Sequence, residues 1–168
     1  MTTLRLAQDA DLTQLAAVED AADQMFVERF GTLDWPPAAS GEERAAEPGI
    51  LLVAVDDDGL VVGFTHALDL AGHWHLEQIA VHPQHGRRGI GAALLEAMHD
   101  ALAARGARQV TLRTFADVPW NAPFYARHGY VVLDPLPDHL HPLAETEERM
   151  GVTSLGRRVA MVRDLTRP

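Results

Sequence analysis

The sequence predicts a single α/β domain spanning residues 1–168, built on one mixed, mostly antiparallel sheet flanked by helices. Three observations predict it. The chain's 168 residues suffice for one domain with a sizeable core, and no repeat, low-complexity tract or linker divides them. Ile50 to Val55 and Leu60 to Leu70 are apolar runs joined by Asp56-Asp57-Asp58-Gly59, a hairpin signature. His73 to Val81, a glycine loop, a long apolar-periodic helix and Gln109 to Phe115 then follow as a strand-helix-strand crossover, which places a parallel pair in the middle of the sheet.

The remaining elements follow in order. Thr3 to Ala7 alternates as a short strand. Asp9 or Asp11 caps a helix whose stripe is Leu12, Leu15, Ala16, Val18, Ala22 and Phe26. Asp34 to Pro48, rich in Pro, Ala and Glu, reads as a loop with a short helix. Gly72 separates two strands, and Pro83 ends the second. The helix that begins near Gly89 buries Ile90, Leu94, Ala97, Met98 and Ala101, and Gly106 stops it. Asn121 to His128 is a short helix closed by Gly129, and Tyr130 to Leu133 starts another strand. Pro135, Pro137 and Pro142 mark a long loop with a helical turn around Leu143 to Met150. Arg157 to Leu165 is the last strand.

Bulk chemistry narrows the partners. A net charge of −10 argues against nucleic acid as the main one, because phosphate backbones require a basic face. The absence of cysteine removes disulfides and thiol nucleophiles. The opening MTTLRLAQDADL lacks an apolar signal core and no run is long enough to span a bilayer, so a cytoplasmic protein without a membrane partner is expected. The histidine pairs His73-x-His75, His82-x-x-His85 and His139-x-His141 have ligand-like spacing. None carries the cysteine pairs or the H-E-x-x-H pattern of a zinc site, so no metal is expected.

The stretch VHPQHGRRGIGAALLEAMHDALAARG, Val81 to Gly106, places three glycines and two arginines at the mouth of a helix. A helix start exposes unpaired N–H groups and the positive end of the dipole. Glycines admit a ligand close to that backbone, and Arg87 and Arg88 add charge, which together suit a phosphate or pyrophosphate. A flexible turn with solvated arginines is the plain alternative. The glycines from Gly86 to Gly91 have P-loop spacing, but Ala92 and Ala93 stand where Lys and Ser/Thr are needed. A dinucleotide fingerprint fails too, since Leu94 replaces its third glycine.

Val81-x-Pro83 followed by Arg88-Gly89-Ile90-Gly91-Ala92-Ala93-Leu94-Leu95 resembles the acyl-CoA loop of the GNAT superfamily of N-acetyltransferases. Asn121-Ala-Pro-Phe124-Tyr125-Ala-Arg-His-Gly129-Tyr130 resembles the family's second CoA segment, and the order of elements is similar over nearly the whole chain. The resemblance implies a sheet whose central strands splay apart between His73–Val81 and Gln109–Phe115. It implies acetyl-CoA as co-substrate, with the pyrophosphate on the backbone of Gly86, Arg87, Arg88, Gly89, Ile90 and Gly91 and with Ala92 in the same first turn. Gly86 departs from the family, which usually carries Gln or Arg there. Ile79, Ala80 and Val81 would line the pantetheine arm, and Phe124 would lie in the second cofactor segment. Asn121 would either bond the arm or cap its helix.

Acetyl transfer to an amine needs a base for the ammonium, donors for the developing oxyanion and a proton for the thiolate. On a regular strand His75, Glu77, Ile79 and Val81 share a face, which aims Glu77 into the cofactor cleft. Glu77 is the first candidate base, with ammonium anchoring or a structural ion pair as its alternatives. His75 is the rival base. Tyr125 stands where the family commonly has the tyrosine that protonates the leaving thiolate; a packed aromatic is the alternative. A backbone N–H near Ala80 or Val81 is the expected oxyanion donor.

These readings predict an N-acetyltransferase that moves acetyl from acetyl-CoA to a primary amine of a small molecule or peptide, by direct transfer in a ternary complex. A non-catalytic acyl-CoA-binding or regulatory domain on the same fold is the alternative. A homodimer is compatible with either. The carboxylates of Glu19 to Pro48 and Asp134 to Gly151 weakly favour a cationic acceptor over an acidic one, with a solvated acidic surface as the stronger alternative.

Overall fold

The computed structural model describes residues 1–32 and 34–166. In chain order the elements are β1 (Thr3–Leu6), α1 (Asp9–Phe30), α2 (Gly41–Ala46), β2 (Gly49–Val55), β3 (Val61–Leu70), β4 (His73–Val81), α3 (Ile90–Ala103), β5 (Gln109–Phe115), α4 (Ala122–Arg127), β6 (Val131–Val132), α5 (His141–Arg149) and β7 (Arg158–Asp164). One seven-stranded sheet has the order β1-β2-β3-β4-β5-β7-β6. Only the central β4–β5 pair is parallel. No helix among the described residues is long and apolar enough to cross a membrane.

Strand alternation divides the core. On β2, Ile50, Leu52 and Ala54 join Leu94, Leu95, Met98 and Leu102 of α3. Val53 and Val55 turn to the other face and join Leu15 and Val18 of α1. The α3 stripe is wider than expected, since Leu95, His99 and Leu102 are buried as well.

The N-terminus of α1 differs from expectation. Gln8 is the N-cap residue, and the Asp11 carboxylate accepts from the Gln8 N–H at 2.7 Å and pairs with Arg5 at 2.6 Å. Asp11 therefore closes the first turn from inside the helix. The short helix expected between Asp34 and Pro48 is α2, capped by Ser40, whose hydroxyl accepts from Glu43 N–H at 3.1 Å. Gly41 lets α2 lie against α1, because a Cβ there would sit 2.2 Å from the Leu12 carbonyl oxygen.

β4 and β5 pair only at His75 with Thr111 and Leu76 with Leu112. His75, 4% exposed, closes this vertex: its Nδ1 lies 2.9 Å from the Thr111 hydroxyl, which itself donates to the Trp74 carbonyl at 3.3 Å. A second buried histidine, His99 on α3, has Nε2 at 2.8 Å from the Tyr130 hydroxyl and Nδ1 at 2.8 Å from Arg163 Nη1.

Burial pushes His75 down to about 4, away from the usual imidazole range. Unfolded, it titrates near 6.5, so between these values the unfolded chain binds a proton that the folded chain refuses. His75 therefore subtracts stability as pH falls from about 6.5 towards 4, by on the order of a few kcal/mol at most. Thermal melts across this window should show wild type losing more stability than His75→Gln, which starts lower at pH 7. Parallel losses in the two proteins would mean that His75 does not carry the effect.

Candidate active site

Past the vertex the central strands part. Glu77 to Val81 of β4 and Arg113 to Phe115 of β5 make no ladder with each other, while each strand stays paired on its outer side, with β3 and β7 respectively. Backbone groups that a closed sheet would pair across are left facing the gap. Ile79 and Val81 pack toward the α3 core, and Ala80 packs toward Phe64 and α1.

A β-bulge corrects one expectation here. Opposite β3, His66 pairs with Gln78 and Ala67 with Leu76, so Glu77 is the extra residue. The bulge reverses the side-chain parity of β4. Trp74 and Leu76 share the α3 face with Ile79 and Val81, and Glu77 meets His66 and Arg44 instead. His75, Glu77, Ile79 and Val81 thus do not share a face.

The loop after β4 begins with a 3-10 turn, Pro83–His85. Arg87 has φ 59° and Gly89 has φ 77°, both left-handed, and Gly89 is the N-cap of α3 without a side-chain cap bond. The first helical N–H taken up is that of Ala93, by the Gly89 carbonyl at 2.9 Å. The N–H groups of Ile90, Gly91 and Ala92 are left for a ligand or solvent. Gly86, Arg87, Arg88 and Gly89 are exposed, and no acidic residue occupies the first turn. The arrangement has the chemistry of an anion cradle: free donors, the positive end of a helix and two arginines.

Glu77 lies at the inner end of the gap with its side chain 37% exposed. Its Oε2 accepts from Arg44 Nη1 at 2.6 Å, and Arg44 Nη2 donates to Glu19 Oε2 on α1. Arg44 is 5% exposed, with its guanidinium carbon 5.2 Å from the centre of the Phe64 ring. His66, 2% exposed, brings Nδ1 to 3.4 Å from Glu77 Oε2, out of hydrogen-bond alignment. Burial works to raise the Glu77 carboxyl, but the His66 ring and the Arg44 guanidinium outweigh it and hold it below the usual range. Glu19 moves the other way, pushed up to about 7 by burial and by the charges of Glu77 and Asp23 against the pull of Arg44. Asp23, one turn along α1, rises to about 6 through burial and the charge of Asp20.

Tyr125, on α4, is 9% exposed. Its ring meets Phe124 and Tyr130 edge-on at 5.3 Å and 5.6 Å, and its hydroxyl has no hydrogen-bond partner among the described residues. Burial raises the phenol far above its ordinary pKa, so it is a neutral donor at any working pH. Asn121 does not cap α4 with its side chain. Its Oδ1 accepts from the Phe115 N–H at 3.3 Å, which ties the start of α4 to the end of β5. The histidine pairs do not converge as ligands: the His73 ring stacks on His139 at 4.1 Å while His75 is turned into the sheet.

Arg44 and His66 carry no signal in the sequence, because α2, β3 and β4 meet only in the folded chain. Glu19 and Asp23 did carry one: four residues apart, they fall on one helix face.

A family model described as an acetyltransferase (GNAT) domain matches residues 47–132. The chain belongs to this family, whose members transfer an acetyl group from acetyl-CoA to an amine. It is 40% identical over 89 residues to a mycothiol acetyltransferase of Clavibacter michiganensis subsp. michiganensis, covering 51% of this chain and 28% of that protein. A mycothiol acetyltransferase of Kineococcus radiotolerans is 32% identical over 90 residues, covering 52% of this chain and 29% of the relative. The matched stretch is thus under a third of the length of these curated relatives. Among solved structures, the Escherichia coli ribosomal-protein-S18-alanine N-acetyltransferase superposes with a TM-score of 0.70 at 20% identity, over 100% of this chain and 96% of that one. A GNAT acetyltransferase of Staphylococcus aureus gives 0.73 at 14% identity, over 98% and 99%. The paia N-acetyltransferase of Thermoplasma acidophilum, in complex with coenzyme A, gives 0.70 at 16%, also over 98% and 99%. At these identities the structures establish the fold.

Gly91 offers a clean test of the cradle. A Cβ there would meet only Val81 Cγ2, at 3.7 Å, and no left-handed φ is required, unlike at Gly89. Gly91→Val should keep the fold and weaken CoA binding tenfold or more, about 1.4 kcal/mol by calorimetry. Wild-type affinity in a folded variant would remove this turn from the site.

Proposed function

We propose that this chain is an acetyl-CoA-dependent N-acetyltransferase that works by direct transfer in a ternary complex, with residues 1–168 acting as one catalytic domain. The observation that carries the reading is the gap between β4 and β5, which runs from the anion cradle at α3 to a carboxylate on β4, with a tyrosine on the helix that follows β5. Acetyl-CoA supplies an activated thioester. The N–H groups at the start of α3, with Arg87 and Arg88, hold its pyrophosphate. The inner-edge groups of Ile79 and Val81 pair the amides of the pantetheine arm as a strand would, while those of Ala80, between them, turn to Phe64 on β3. Phe124 and Asn121 support the β5 side of that channel.

Glu77 takes the proton of the acceptor ammonium, directly or through one water, and frees the lone pair for attack on the acetyl carbon. Its Arg44 bond uses Oε2 and leaves Oε1 for this task. A backbone N–H near Ala80 or Val81 donates to the acetyl oxygen as charge develops there. The C–N bond forms, the C–S bond breaks, Tyr125 gives its proton to the departing sulfur, and the extra proton on the new amide nitrogen passes through water to restore the phenol. The neutral, unpaired hydroxyl of Tyr125 suits that role. His75 is less accessible as a base, since it is buried and bonded to Thr111. The chain has no cysteine to carry the acetyl group covalently. The relatives named mycothiol acetyltransferases bring a mycothiol-type amine into the acceptor screen as a candidate.

Glu77→Gln should retain CoA binding and lower turnover roughly 10²-fold. In wild type the acidic limb of kcat/KM should fall below the usual glutamate range, because Glu77 is held ionised there. Full activity of Glu77→Gln would transfer deprotonation to solvent. Binding of CoA by wild type with no turnover on any amine would make the chain a non-catalytic acyl-CoA-binding domain.

Tyr125→Phe keeps the ring and removes only the donor. It should preserve fold and CoA affinity and lower kcat about 10–100-fold at saturating amine, less than a full acid–base loss because water can substitute. Unchanged kcat would make Tyr125 a packing residue.

A further inference from the structure

The mouth of the gap on the α1 side is divided by chemistry. Toward β4 it presents Glu19, Asp23 and Glu77 against a single buried cation. Arg44 spends both terminal nitrogens on Glu19 and Glu77, and Asp23 has no hydrogen bond or ion pair among the described residues. His66 Nδ1, in a side chain 3% exposed, points at the same cluster from 3.4 Å and lacks a hydrogen-bond partner. Toward β5 the mouth is aromatic. Phe26, less than one turn beyond Asp23 on α1, lies 5.5 Å from Trp35, 5.6 Å from Trp120 and 5.9 Å from Phe115, centre to centre. The indole N–H groups of Trp35 and Trp120 are buried without an acceptor. The guanidiniums nearest the β5 side are already used, since Arg113 and Arg158 both close on Glu147, at 2.9 Å and 2.7 Å.

A cation is therefore wanted at one side and an apolar body at the other; the guanidinium beside the aromatic cluster that has no carboxylate partner among the described residues, Arg29, donates to the Asp117 carbonyl at 3.2 Å and lies six residues along α1 from Asp23. We propose that the acceptor is a primary amine with an apolar, preferably aromatic, body and no carboxylate beside the nitrogen, its ammonium held by Glu19 and Asp23 and its body lying against Phe26 and Trp120. The inference rests on the acetyltransferase reading above and specifies its acceptor. Burial, joined by the charges of neighbouring carboxylates, lifts Glu19 to about 7 and Asp23 to about 6, and an ammonium entering the cluster relieves the repulsive part. A carboxylate entering it would be partly desolvated among like charges, which is the costly arrangement. The face of an aromatic ring attracts the same ammonium.

The test compares 2-phenylethylamine, phenylalaninamide and phenylalanine. The last two differ chiefly by one negative charge. Steady-state kcat/KM at saturating acetyl-CoA is measured for each, alongside the Kd of each amine for the protein–CoA complex by calorimetry. Phenylethylamine and phenylalaninamide should exceed phenylalanine at least tenfold in both readouts. Asp23→Asn, at a position without a partner to strand, should raise KM for phenylethylamine about fivefold or more, with a smaller effect on kcat and none on CoA affinity. Phenylalanine binding as well as its amide would overturn the proposal, as would absence of binding by all three. An unchanged KM in Asp23→Asn would also overturn it. The charge-dependent order of binding without turnover on any amine would overturn the acetyltransferase reading and leave the acceptor site standing.

Discussion

The separation of β4 from β5 is the constraint on which the rest of the molecule turns. Two parallel strands that start in register would normally continue, because each further residue satisfies backbone groups that are costly to leave unpaired. Here the pairing stops after Leu76 with Leu112. The gap does not collapse because each strand is held from outside: β4 pairs with β3 from His73 to Val81, and β5 with β7 from Gln109 to Phe115. The bulge at Glu77 increases local twist where the strands diverge, and Asn121 ties the end of β5 to α4. The result is a channel with peptide groups along its walls, placed before any ligand arrives. Such preorganisation is what a long, flexible, amide-rich co-substrate needs in order to lose little more than its own freedom on binding.

The second organising feature is Arg44. It is a buried cation on a helix of only six residues, α2, which is seated by the close approach of Gly41 to Leu12. Two carboxylates share it, and Phe64 covers its face. An ion cluster of this kind is weak evidence for stability, since desolvation offsets most of the attraction. Its consequence is electrostatic. The His66 ring and the Arg44 guanidinium hold Glu77 ionised, while burial keeps Glu19 and Asp23 easier to protonate in spite of the same guanidinium.

The two halves of the site draw on different parts of the chain. The elements that would hold the co-substrate, from β4 through α4, are contiguous from residue 73 to 127, and local geometry dominates them. The proposed acceptor side would be assembled from α1, α2, the end of β5 and the segment after it. Changes on α1 and α2 would alter which amine fits without disturbing the cradle, because those helices contribute nothing to the backbone of the gap.

What the sequence by itself determined is what depends on neighbours along the chain. The bounds of β4 and β5 follow from apolar runs ended by Pro83 and by Asp117 to Pro119, and the anion cradle follows from glycines placed at a helix start. The Tyr125 motif and α5 are local for the same reason. What only the tertiary structure decided is what depends on strand register and on distant elements meeting. The bulge opposite His66 reversed the parity of β4 and separated Glu77 from Ile79 and Val81, because a period-two pattern carries no mark of an inserted residue. Gln8 took the cap expected of Asp9 or Asp11, because Asp11 was drawn to Arg5 across the strand-helix junction. Arg44 and His66 came to Glu77 from 33 and 11 residues away in sequence, brought there by packing rather than by spacing. The charge state of a carboxylate is set by every group within a few ångströms, and the chain's order does not record which groups those are.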